Sequence, residues 1–158
     1  MKKEDSIALS ELLSTPKKIA IIPHRSPDGD AMGSTLALYH FLLKLDHQPV
    51  VISPNEFPGF LDWLPSAETV LIYENDKENT TKILQEAELI FTLDFNALHR
   101  TGEMEQVLNK LKAVFIMIDH HQSPDNYAQV TYSDTQFGST CEMVYNFIVA
   151  LKHKDLID

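Results

Sequence analysis

Three times in this chain a run of apolar residues stops at an acid or a histidine. Ile19-Ala20-Ile21-Ile22 leads into His24-Arg25-Ser26-Pro27-Asp28-Gly29-Asp30. Leu89-Ile90-Phe91-Thr92-Leu93 leads straight into Asp94, and Val114-Phe115-Ile116-Met117-Ile118 into Asp119-His120-His121. Short, mostly apolar runs of this kind, wholly so at 114–118, suit strands buried on both faces, the habit of parallel sheets covered by helices. An open α/β sheet of that type gathers its functional groups at the carboxyl ends of its strands. The pattern therefore limits the fold and places a candidate site in one step.

The rest of the chain fits the same frame. Strands are expected at 17–23, 49–53, 69–73, 88–93 and 113–118, with a short alternating strand at 128–132. Helices are expected at 6–14, 31–45, 79–87, 102–112 and 139–151, and 54–65, rich in proline and aromatics, reads as a loop. Strand and helix alternate at βαβ intervals. The expected class is α/β, a mainly parallel sheet of about five strands with helices on both faces. All 158 residues form one expected domain, with residues 1–15 as a leading helical segment.

Composition narrows the function. A formal charge of −10 disfavours a protein that grips long duplex nucleic acid by neutralising phosphates. It leaves room for short phosphorylated substrates, because bound cations reverse the sign of a site locally. Cys141 is the single cysteine, so no internal disulfide can form, and it reads as a packed thiol. No signal-like start and no membrane-length apolar stretch is present, so a cytoplasmic protein without membrane contact is expected.

The clustered acids and imidazoles make a metal site the economical reading. Oxygen and imidazole donors without thiolates suit Mn²⁺ or Mg²⁺ better than a structural zinc. Two divalent cations held close together need a shared carboxylate plus separate ligands for each. His24, Asp28 and Asp30 share one strand-to-helix loop, Asp94 is the natural bridge, and His120 comes from a third strand end. His121 remains for phosphate contact or for proton transfer to a leaving group. Gly33-Ser34 and Gly138-Ser139-Thr140 stand at expected helix starts, where free amides can take an anion or where Ser139 or Thr140 simply caps the helix. Arg100 reads equally as a bidentate phosphate clamp or as a surface ion pair. His40, His47, His99 and His153 read as ordinary histidines, and Asp62, Asp125 and Asp134 as turn or loop acids.

The string His24-x-x-Pro27-Asp28-Gly29-Asp30-Ala31-x-Gly33-Ser34, with Asp94 and Asp119-His120-His121, resembles the DHH phosphoesterase superfamily, and most of all its nano-RNase and 3′-phosphoadenosine-5′-phosphate phosphatase group. The resemblance runs from about residue 17 to the C-terminus. It implies a dinuclear manganese centre, with Mg²⁺ as a weaker substitute. His24 and Asp28 would hold one ion, Asp30 and His120 the other, and Asp94 both. Asp119 would orient the site, and His121 would lie beside the substrate phosphate. Substrates would be short RNA or DNA oligonucleotides or a nucleoside bisphosphate, with a homodimer among the expected assemblies. The same resemblance implies that these residues are the front part of a longer two-domain enzyme. A further metal aspartate and a DHH-associated domain would then lie beyond Asp158, leaving the second ion short of one carboxylate here. Competing expectations are a manganese inorganic pyrophosphatase, a single-strand exonuclease or cyclic-dinucleotide phosphodiesterase of the same superfamily, and a non-catalytic module that binds metal or nucleotide.

Overall fold

The structure, a computed structural model, describes residues 1–157; Asp158, the last residue of the expected domain, lies outside them. In chain order the elements are α1 (Lys3–Leu12), β1 (Lys18–Pro23), α2 (Gly29–Lys44), β2 (Gln48–Ser53), β3 (Leu71–Ile72), α3 (Lys77–Glu86), β4 (Leu89–Leu93), α4 (Glu105–Leu108), β5 (Val114–Asp119), β6 (Val130–Ser133) and α5 (Thr140–Ala150). Six strands form one sheet in the order β3-β2-β1-β4-β5-β6, and every neighbouring pair is parallel. The two short segments at 69–73 and 128–132 become its edges, which takes the sheet from about five strands to six.

Alternation along each strand divides the core in two. Ile19, Ile21, Phe91, Leu93, Ile116 and Ile118 face one side and pack with α1, α2 and α5 through Leu9, Met32, Leu38, Leu42, Met143 and Phe147. Ala20, Ile22, Ile90 and Phe115 face the other and pack with α3 and α4 through Leu84 and Leu108. Both faces are covered, which accounts for the unbroken apolar runs. The order reverses at β1. The chain passes outward to β2 and β3, then returns to lay β4 on the other side of β1. Loops leaving β1 and β4 diverge there and open a crevice at the carboxyl edge, where this class of sheet takes its ligands.

Two elements depart from expectation. The helix expected over 102–112 shrinks to α4, preceded by a 3-10 stretch Leu98–Met104 that kinks at Gly102, whose φ of +62° only glycine adopts freely. The side chain of Arg25 lies against this glycine, so a Cβ there would be crowded as well. The helix expected to begin at residue 31 begins instead at Gly29, because Asp28 caps it by accepting from the amides of Asp30 and Ala31 at 3.0 and 3.1 Å.

Among the histidines read as ordinary, His47 is buried. Its Nδ1 accepts the Lys17 amide at 3.1 Å, so the ring proton sits on Nε2, which has no hydrogen-bond partner among the described residues. Burial, and after it the charge of Lys17, lower its pKa from 6.5. A depressed histidine stays neutral in the folded state while the unfolded chain takes up a proton. Its contribution to stability is complete above about pH 6.5 and is lost as the pH falls from there toward the folded-state pKa. The melting temperature should therefore drop between pH 7 and 5, and His47→Asn, which keeps an acceptor for Lys17 but cannot titrate, should shallow that slope. Parallel slopes for the two proteins would remove His47 as the cause.

No helix among the described residues is long and apolar enough to cross a membrane.

Candidate metal centre

The three strand ends converge. Asp94 leaves β4 in the left-handed region at φ +65°, a conformation that aspartate tolerates better than most residues. Its amide is held by the Ile118 carbonyl at 3.1 Å, and its carboxylate is almost fully buried in the crevice. The two carboxylate oxygens face different partners. Oδ2 lies 3.7 Å from His24 Nε2, and Oδ1 lies 3.4 Å from His120 Nε2. His24, Asp28 and Asp94 form one group whose ligand atoms lie within 4.8 Å of one another; Asp94, His120 and His121 form a second. Asp94 belongs to both.

Asp30 completes the second side, its Oδ2 lying 3.7 Å from His120 Nε2. The same carboxylate accepts the amides of Thr140 at 2.7 Å and Cys141 at 2.8 Å, and so caps α5 from another helix. Asp119 is fully buried at the end of β5. It accepts from His121 Nδ1 at 2.7 Å and from the His121 amide at 3.1 Å, leaving Nε2 as the outward atom of a half-exposed ring. His24 is set in the same way: its Nδ1 donates to the Arg25 carbonyl at 2.8 Å, which turns Nε2 toward Asp94. Its pKa is raised, chiefly by Asp94, while burial pulls the other way. Protons and cations therefore compete for this nitrogen.

Carboxylate oxygens and imidazole nitrogens in two adjoining groups are a hard, mixed O/N donor set. They fit two divalent cations of the Mn²⁺ or Mg²⁺ type. Cys141 belongs to neither group, and burial first, and then Asp30, push its thiol up to about 12.

His24, Asp28, Asp30, Asp94, His120 and His121 are thus brought together, with Asp119 behind His121. Other candidates lie elsewhere or are engaged. Gly33 and Ser34 sit in the second turn of α2, where Ser34 is fully buried and donates to the Ala31 carbonyl at 3.2 Å; neither offers a free helix start to an anion. The Ser139 hydroxyl caps α5 by accepting the Glu142 amide at 3.1 Å. The Thr140 amide is taken by Asp30, and its hydroxyl donates to Asp94 Oδ1 at 2.8 Å. Arg100 is exposed on the 3-10 stretch and contributes its carbonyl to the Arg25 amide. The guanidinium on the loop between β1 and α2 belongs to Arg25, paired with Glu74.

Residues not singled out from the sequence brace the loops. Asn55 accepts the amide of Ser26, a residue at φ +54°. Asn96 donates to the Gln122 carbonyl at 2.8 Å and accepts the Asp125 amide, tying the segment after His121 to the one after Asp94. Asn96 stands two positions beyond Asp94, which is the only signal that marks it.

A model of the DHH family, N-terminal domain, matches residues 18–158. A relative from Thermus thermophilus, the bifunctional oligoribonuclease and PAP phosphatase NrnA, is 28% identical over 141 residues, covering 89% of this chain and 36% of its own. Among solved structures, an exopolyphosphatase-related protein from Bacteroides fragilis superposes with a TM-score of 0.97 at 38% identity, covering 99% of this chain and 46% of that one. RecJ from Thermus thermophilus in complex with Mn²⁺ superposes with a TM-score of 0.58 at 16% identity, covering 99% and 21%. The chain spans less than half the length of each.

Proposed function

This chain belongs to the DHH family, and on that premise we propose that it carries the dinuclear-metal centre of a phosphoesterase acting on short oligonucleotides or 3′,5′-bisphosphonucleosides. The observation that carries the reading is Asp94, one buried carboxylate shared by two His/Asp groups at the sheet's crevice. In this reading His24 and Asp28 hold one ion, Asp30 and His120 hold the other, and Asp94 binds both. Mn²⁺ is the preferred ion and Mg²⁺ a weaker substitute.

When bound, such a cation pair neutralises phosphoryl oxygens and lowers the pKa of a bound water. The protein's own groups do the rest. Asp94 sets the spacing of the two sites. Asp119 holds His121 Nδ1 and so fixes the ring, leaving Nε2 to give a proton to the leaving oxygen or to contact a phosphate oxygen.

A substrate panel tests the proposal. With Mn²⁺, a di- to pentaribonucleotide should release mononucleotides, and a 3′,5′-bisphosphonucleoside should release inorganic phosphate. Pyrophosphate and cyclic dinucleotides should turn over far more slowly. A faster rate on pyrophosphate would reassign the enzyme. Metal binding without turnover of any member, in this chain and in one extended past Asp158, would leave a binding module.

A further inference from the structure

We propose that Thr140 is a positioning residue for the metal centre: its hydroxyl sets the rotation of the Asp94 carboxylate, and α5 is thereby built into the site. The inference rests on the phosphoesterase reading above and deepens it.

Thr140 is fully buried at the first position of α5. A threonine within a helix commonly returns its hydroxyl to a carbonyl one turn back, as Thr35 does to Ala31 at 2.8 Å. A first-turn residue has no such carbonyl. Thr140 Oγ1 points across the crevice and donates to Asp94 Oδ1 at 2.8 Å, with no other partner for the hydroxyl among the described residues. The direction of donation is fixed, because a carboxylate only accepts.

The choice of oxygen matters. Oδ1 is the oxygen that faces His120, while Oδ2 faces His24. A shared carboxylate works only if one oxygen is turned to each side. The β4 backbone fixes where the Asp94 side chain starts, but its terminal torsion is broad and roughly two-fold. The bond from Thr140 selects one setting of that torsion and still leaves lone pairs on Oδ1 for a cation. The amide of the same residue donates to Asp30 at 2.7 Å. One residue therefore orients the carboxylate shared by both groups and that of Asp30 beside His120, from an element that contributes no ligand of its own.

The test is Mn²⁺ titration of the intact protein, following the electron paramagnetic resonance signal of free Mn²⁺, which needs no turnover. Thr140→Val keeps the shape and removes the hydroxyl; Thr140→Ala removes it with less steric demand. Both should bind Mn²⁺ about 10–100-fold more weakly, the usual effect of losing a partner that orients a ligand. Thr140→Ser, which keeps the donor, should bind within about three-fold of the wild type, short of the loss expected when the orienting partner is removed. Val144→Ala, a buried packing change in the same helix, should lower the melting temperature and leave Mn²⁺ affinity unchanged. Turnover of the oligonucleotide by Thr140→Val should fall in kcat with KM nearly constant at saturating Mn²⁺. Equal Mn²⁺ affinity in wild type, Thr140→Val and Thr140→Ala overturns the inference, as does an equal loss in Val144→Ala. A wild-type protein that binds no Mn²⁺ overturns the phosphoesterase reading and this inference with it, so the two failures are told apart by the wild-type titration alone.

Discussion

Asp94→Asn is expected to lower phosphodiester turnover by at least about 10³-fold, because a metal-held phosphoryl group owes several kcal/mol of transition-state stabilisation to its ions. The substitution is nearly isosteric. Asparagine adopts the left-handed region as readily as aspartate does, so the φ of +65° adds no strain. Its carbonyl can still accept from Thr140, while its amide can face His24. What it lacks is the negative charge that two neighbouring dications require. With chelator present the variant should melt higher than the wild type. The wild-type cluster places Asp28, Asp30 and Asp94 around one small crevice, and removing a buried charge relieves their repulsion. With Mn²⁺ present the order should reverse. Scanning calorimetry in both conditions, beside a turnover assay, checks each half. Retention of more than a tenth of the activity would show that Asp94 is not the shared ligand.

Stripping divalent cations is the second large effect. Chelation should abolish turnover, and adding back Mn²⁺ at about 100 times its dissociation constant should stabilise the fold by about 2.7 kcal/mol for each site filled. For a domain of this size, that corresponds to a rise of roughly 5–11 °C in melting temperature. Mg²⁺ should give a smaller shift and slower turnover, and Zn²⁺ should not surpass Mn²⁺ in activity, since hard carboxylates supply much of the donor set. A melting curve indifferent to all three ions would remove the metal centre altogether.

Much of this architecture can be read from residues alone, for a physical reason. β1, β4 and β5 are buried on both faces, so their apolar runs are continuous, and a sudden acid or histidine after such a run marks a strand's carboxyl end. That signal locates His24, Asp28, Asp30, Asp94, Asp119, His120 and His121 together. Edge strands carry less of it: β3 has only two residues, both half-exposed. The helix expected over 102–112 overshoots α4 because Met104, Val107, Leu108 and Leu111 keep helical spacing, while the chain kinks at the positive φ of Gly102. Thr140 illustrates the limit best. As a helix-start residue it reads as a cap or an anion contact. Its actual partners lie 46 and 110 positions away, and no local pattern encodes them.

That separation also governs how the molecule is reached from the unfolded chain. The centre draws on β1, β4, β5 and the start of α5, so it cannot exist until the long crossovers of an all-parallel sheet have closed. Such non-local pairing is slow, because loop-closure entropy is lost before the contacts that offset it form. The ligand cluster is thus a product of the finished topology and not its nucleus. Interactions absent from the folding transition state act mainly on the rate of unfolding. A cation bound here would therefore work as a latch on the native state, lengthening its lifetime while leaving the speed of folding almost untouched.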